Sequence, residues 1–233
     1  MKKFILAVGL VAAMAASVFA LDDDALTGGF GVGFGGAFFN NTVGSGKDGD
    51  INLRKDTSYN ATTFDFIDIE GRLIFNSINI ALMGRFSFGL GGLQAKELFN
   101  GDEAGLGITL GTWLGAGYRI KLGNLHLIPS FIMGYNYAGG AKTFKVKNGT
   151  QESNLEVVTA SGAFVLGGDL AAIYRVGNHF GLEASCLVTV NMGGICKIEM
   201  TSDFPGASKS EGTVKLKGGD VSFLPKVGLF WLF

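Results

Sequence analysis

The sequence predicts an all-β chain: eight antiparallel strands closed into a barrel that spans a membrane, with four long outer loops and three short turns. Three observations predict it. Apolar residues alternate with small or polar ones in segment after segment of the 233-residue chain, the period-2 signature of strands with two unlike faces. The connections run long, short, long, short, long, short, long. The composition is apolar without a later helical span. Mean hydropathy is +0.33, with 38 Gly, 20 Phe and only 3 Pro. Beyond the amino terminus, every apolar run is cut within about ten residues by Gly, Asn or a charge.

The first twenty residues stand apart. Met1-Lys2-Lys3 is basic, Phe4 to Ala16 is apolar, and Val18-Phe19-Ala20 ends on a small residue. This reads as a secretory signal peptide cleaved after Ala20, leaving residues 21–233 as one barrel domain. The alternative is an uncleaved anchor, because the run lies near the lower length limit of a spanning helix. Without Lys2 and Lys3, 17 basic side chains face 20 acidic ones, a formal charge of −3. That balance, with no basic patch among aromatics, argues against nucleic acid as a partner.

The first strand, 26–40, sets Phe30, Val32, Phe34 and Phe38 against Gly29, Gly31, Gly33, Gly35 and Ala37. A polar loop follows at 40–59. In the second, 61–74, Ile67, Ile69 and Leu73 oppose Asp68, Glu70 and Arg72. Phe64 and Phe66 break that phase, which calls for a bulge near Phe66 or for inward aromatics. Past a short turn at Asn76-Ser77, Ile78, Ile80, Leu82, Phe86, Phe88 and Leu90 oppose Arg85 and Ser87. After a loop at 91–105, the fourth strand sets Leu106, Ile108, Leu110, Leu114, Tyr118 and Ile120 against Gly111, Trp113, Gly115, Gly117, Arg119 and Lys121.

Gly123-Asn124 reads as a two-residue hairpin turn. The fifth strand alternates from Leu125 to Tyr137, with Pro129 removing one ladder donor. Residues 138–157 form the third long loop, or a protruding hairpin turning at Asn148-Gly149. Asp169 and Arg175 share the polar face of the sixth strand, which leads through Gly177-Asn178-His179 to a seventh with Glu183 and Ser185 inside. Residues 193–219 form the last loop. In the closing strand Val221, Phe223, Val227, Leu229, Trp231 and Phe233 oppose Ser222, Lys226 and Gly228.

Residues that face one another in an antiparallel pair share a face, which tests the assignment. Turns centred on Asn76-Ser77, Gly123-Asn124 and Asn178 put Asp68 opposite Arg85, Trp113 opposite Gly134, Lys121 opposite His126, and Ile173 opposite Glu183. Parity holds in all three hairpins. The small, sparsely charged face suits a narrow lumen. The broad apolar face, flanked by Tyr118, Tyr174, Phe180, Trp231 and Phe233 at one end and Phe38, Phe88, Tyr135 and Tyr137 at the other, suits lipid.

The final strand, ending Phe230-Trp231-Leu232-Phe233, resembles the closing strand of bacterial outer-membrane β-barrels, and the whole pattern resembles the small eight-stranded barrels of the OmpW and OmpX type. The resemblance implies a bacterial outer-membrane location with the long loops at the cell surface. It also implies an insertion signal at Trp231 and Phe233, with outer-membrane lipid and the barrel-assembly machinery as partners.

Other signals are weaker. Gly31 to Gly36 match G-x-G-x-x-G, but no helix follows. Asp48, Asp50 and Asn52 have the opening spacing of a calcium loop without its glycine or closing Glu. Cys186 and Cys196 are about 33 Å apart along a continuous strand, so free thiols are expected. His126 and His179 both sit by short turns, and no nucleophile motif occurs, so neither an enzyme nor a metal or other cofactor is expected. Asp68, Glu70, Arg72, Arg85, Trp113, Arg119, Asp169, Arg175, Glu183 and Lys226 are expected to line the lumen. Two functions remain open: passage or a pocket for small solutes, apolar ones included, which the resemblance implies, or an adhesin or receptor whose outer loops bind a host or environmental ligand.

Overall fold

The computed structural model describes residues 26–95, 105–148, 151–204 and 209–233. The leader and most of the second long loop lie outside them. The described residues form β1 (Leu26–Val43), β2 (Gly46–Asp48), β3 (Ile51–Leu53), β4 (Thr57–Phe75), β5 (Ile80–Ala95), β6 (Gly105–Tyr118), β7 (Ile120–Leu122), β8 (Leu125–Asn148), β9 (Gln151–Arg175), β10 (Phe180–Ser202), β11 (Ser210–Lys217) and β12 (Val221–Leu232). β1 pairs antiparallel with β4 on one side and β12 on the other, and β5, β6, β8, β9 and β10 complete the circuit. The eight-stranded ring expected from the sequence is therefore closed.

The faces are as the alternation requires. Phe34, Phe131, Leu170 and Leu229 are each more than half exposed on the outside, part of an apolar belt far larger than water tolerates on a soluble protein. Phe180 and Trp231 stack edge to face at 4.5 Å near the short turns, and Phe38 meets Phe223 near the other end. These are the interfacial girdles of a transmembrane barrel.

Two of the three short hairpins have the expected register: Trp113 faces Gly134, Lys121 faces His126, and Ile173 faces Glu183. Gly123 takes the positive φ of +64° that its turn needs. The first hairpin is shifted by two residues. Phe75 faces Ile80, so Asp68 lies opposite Ser87 and Glu70 opposite Arg85. Asn79 adopts a left-handed φ of +55°, which lengthens the turn and takes Ile78 out of the strand. A two-residue shift preserves parity, so the side chains keep their faces.

The phase break in β4 is a bulge. Asp65 faces Gly89 while Ile67 faces Phe88, and the same irregularity appears against β1. Phe64 and Phe66 both point outward, so the inward aromatics considered from sequence are absent here. Pro129 also leaves its mark. Ser130 pairs with Gly117 and Leu127 with Ile120, and the ladder breaks between them, where Pro129 has no N–H to give.

The long-loop boundaries need correction. β8 and β9 stay paired out to Asn148 and Gln151, so 138–157 is the protruding hairpin. Residues 193–219 are mostly strand. β10 passes a bulge between Asn191 and Gly194 and runs on to Ser202. β11 then returns, pairing with β10 and, at Thr42 and Val43, with β1. The barrel thus continues beyond the lipid, and there its pattern inverts. Lys197, Glu211, Thr213 and Lys215 face out, while Cys196, Ile198, Val214 and Leu216 are buried inside. Water outside and packing inside dictate that order, the opposite of the lipid-facing segment.

Candidate functional site

The interior is filled in layers. Nearest the short turns, Ile74, Ala81, Ile128, Ile173, Phe230 and Leu232 form a buried apolar plug. Gly29 and Gly31 make room for it: a Cβ on Gly29 would lie 1.9 Å from the Phe230 ring, and one on Gly31 2.9 Å from it. The glycine-rich wall of the first strand is the space into which Phe230 and Lys226 pack.

Above the plug, β4, β5, β9, β10 and β12 bring seven charged side chains together, all fully buried. Arg85 Nε donates to both oxygens of Asp68 at 3.0 Å, and its Nη2 donates to Oδ2 at 2.6 Å. Arg72 donates through Nε to Glu70, and through Nη2 to Asp169 Oδ2 at 2.7 Å. Lys226 Nζ lies 3.0 Å from Glu183 Oε2, 3.2 Å from Glu70 Oε2 and 3.7 Å from Asp68 Oδ1. Arg85 Nη1 reaches the Ser185 hydroxyl at 3.4 Å. Four carboxylates meet three cations, leaving a formal charge of −1. Arg72 Nη1, Asp169 Oδ1 and both Glu183 oxygens make no hydrogen bond, although Glu183 and Asp169 lie within ion-pair reach of cations.

Trp113 lies over this layer. Arg85 sits 5.7 Å from its ring centre, and its indole N–H donates to Asn136 Oδ1 at 3.0 Å. The ring occupies the space that side chains at Gly111 and Gly134 would need. Higher still Phe39, Tyr59, Leu93, Ile198 and Leu224 form a buried apolar cluster with Ile51 of the β2–β3 hairpin, and Thr63, Asp65 and Thr109 are buried inside as well.

The network accordingly contains Asp68, Glu70, Arg72, Arg85, Asp169, Glu183 and Lys226, with Trp113 as its cover. Arg119 and Arg175 are not part of it. Along β9 the inward residues run Asp169, Ala171, Ile173 and Arg175, so the plug separates Arg175 from the charges. Arg119 is held at the first short turn by Asn79 Oδ1. Parity gives the face of a residue but not its depth.

Asp65 was missed. The bulge returns it to the lumen, where it accepts from Thr63 at 3.3 Å; the run Tyr59, Ala61, Thr63, Asp65 carried that signal. Asp48 is spent on structure, since it accepts from the Thr213 N–H at 2.7 Å. Cys186 and Cys196 are free thiols. Trp231 faces the lipid, while Phe233 and Gly28 exchange backbone hydrogen bonds at 3.0 and 2.9 Å, zipping the last residue to β1.

No protein-family model and no curated protein matches the chain. Solved structures do. The chain is similar to the outer membrane protein OprG from Pseudomonas aeruginosa, with a TM-score of 0.55 and 14% identity over 90% of this chain and 97% of that one. It is also similar to a major outer membrane protein from Thermus thermophilus, with a TM-score of 0.58 and 15% identity over 88% and 99%. At such identities the likeness speaks for the fold, and it agrees with the closed ring, the apolar belt and the girdles. The chain is a transmembrane barrel with the fold of the small eight-stranded β-barrels of the bacterial outer membrane.

Proposed function

We propose that the barrel is a sealed membrane scaffold and that its function lies at its outer end, as an adhesin or receptor rather than an enzyme. The observation that carries this is the strand-built extension. β8–β9 and β10–β11 stand beyond the aromatic belt as paired hairpins around a packed apolar interior. They present Lys142, Lys145, Lys197, Glu199, Lys209, Glu211 and Lys215 on a mixed-charge surface. A rigid surface binds with less ordering cost than a loose loop. The test uses cells displaying the full chain and cells displaying a chain with 142–157 replaced by a short turn. Retention on arrayed glycans and proteins should fall for the shortened chain while its barrel still folds. Equal retention argues against the reading.

One observation favours the second reading, a pocket or path for small solutes. Above Trp113 lies a buried apolar cluster, and in the network below it several polar atoms make no hydrogen bond. A solute path from outside would run through that cluster to the indole. Liposome uptake of small apolar solutes, absent without the barrel and raised by Trp113→Ala, would support that path.

A further inference from the structure

We infer that the short-turn mouth of the barrel is a binding site for a phosphoryl group, carried either by an inner-leaflet phospholipid or by free phosphate. Below the apolar plug the inward positions become basic. Arg119 lies where β6 gives way to β7, Lys121 is on β7, His126 faces Lys121 from β8, and Arg175 ends β9 diagonal to His126. Arg119, Arg175 and Lys121 all lie close enough to His126 to act on it electrostatically.

The three short turns build this cluster. Asn79 accepts Arg119 Nε at 3.2 Å and Nη2 at 2.8 Å on its side-chain oxygen, and the Arg119 N–H at 2.8 Å on its carbonyl. The Asn178 carbonyl accepts Arg175 Nη2 at 3.3 Å, and the Asn124 carbonyl accepts the Arg175 N–H at 2.8 Å. Every anchor is a neutral oxygen. The guanidinium groups are therefore positioned without being neutralised, Arg119 buried and Arg175 half-buried.

Among the described residues none of the four basic groups forms an ion pair. The luminal carboxylates Asp169 and Glu183 are held by Arg72 and Lys226. His126 is 4% exposed and makes no hydrogen bond among the described residues. Clustered like charges in a partly desolvated recess repel one another, and a polyvalent anion reverses that. Guanidinium forks match phosphoryl oxygens in geometry as well as charge. The recess lies level with the girdle of Tyr118, Tyr174, Phe180 and Trp231, the headgroup depth of a bilayer.

The test uses the full-length barrel in neutral detergent micelles. One arm titrates inorganic phosphate by calorimetry. The other measures, by native mass spectrometry, retention of phosphatidylglycerol from mixed phosphatidylethanolamine–phosphatidylglycerol vesicles. One probe or both should bind, and excess phosphate should displace the lipid if both use the mouth. Arg119→Gln and Arg175→Gln should each weaken binding about tenfold, the value of one charge-assisted hydrogen bond, while Lys197→Gln on the outer hairpin leaves it unchanged. Exposed Lys121→Gln should weaken it in the same direction should the arginine variants fail to fold. The inference is overturned if wild type binds neither probe or if the variants bind as well as wild type. It is also overturned if binding emerges only when Asp22, Asp23 and Asp24 are changed to Asn, which would make the acidic leader the occupant.

Discussion

Arg85 lies directly opposite Glu70 across the β4–β5 pair, yet its guanidinium passes Glu70 and grips both oxygens of Asp68. Glu70 is left to Arg72 and Lys226. This diagonal pairing ties two adjacent strands into one network that also reaches β9, β10 and β12. Such a fully buried array contributes little net stability over an apolar filling, but breaking one pair leaves an uncompensated charge that costs about 3–5 kcal/mol. The barrel is therefore easier to open at its centre by deleting one partner than by removing the whole set.

The inversion of the pattern at the outer interface makes inward and outward positions differ in their tolerance on the two sides of that interface. Leu170→Lys, in the lipid belt, should cost about 2–4 kcal/mol. Lys215→Val, outward on β11 beyond the lipid, should change stability by no more than about 0.5 kcal/mol. Ile198→Ala, inward at that level, should cost about 2–5 kcal/mol. Urea unfolding of the barrel in lipid vesicles measures all three. A tolerated Ile198→Ala with a costly Lys215→Val would mean that the lipid extends further up the barrel.

Trp113 and Gly111 form a size-matched pair. A Cβ on Gly111 would fall 1.8 Å from the indole, so Gly111→Ala should destabilise by about 1–3 kcal/mol through overpacking. In the Trp113→Ala background the same change should cost almost nothing. Additive effects in this cycle would show that the indole does not rest against that wall.

On the outer hairpin, hydrogen bonds from Lys197 and Lys209 pull the Glu199 carboxyl down from 4.5 to about 2. Because its pKa is depressed on folding, Glu199 contributes fully above about pH 4.5 and loses that contribution as pH falls toward 2. Proteolysis of the β10–β11 hairpin should therefore be constant from pH 7 to 5. Glu199→Gln should nick faster than wild type in that range, with the difference vanishing as pH approaches 2. The group is solvent-exposed, so high salt should also narrow the difference. A constant gap down to pH 2 would count against the pairing.

Phe233 is zipped to Gly28 and Trp231 stacks on Phe180, at the segment expected to carry the insertion signal. Phe233→Ser should leave heat-modifiable, folded barrel scarce in the membrane fraction. Unchanged abundance would show that assembly reads some other part of the chain.

Much of this was legible because a strand's faces follow from alternation alone. The seven network residues, the bulge at Phe66 and the registers around Gly123 and Asn178 are all parity statements. What parity cannot carry is depth and turn length. Arg119 and Arg175 share the inward face with Asp169 but lie beyond the plug. Asn79's left-handed backbone, invisible in the sequence, lengthened the first turn. The strands holding Lys197, Ile198 and Val214 are hidden in the sequence because an apolar outer face marks a strand only within the lipid, and outside the lipid that face is polar.

Plug, network and Trp113 are proposed to seal the axis together. Single-channel conductance of the purified barrel in planar bilayers tests it most directly. A sealed barrel gives a silent wild type, with ion conductance emerging in Arg85→Ala, where the Asp68 carboxylate loses its guanidinium and keeps only the longer Lys226 contact, and in Trp113→Ala, where the cover is gone. Steady open-channel current from the wild type, unchanged in both variants, would contradict it.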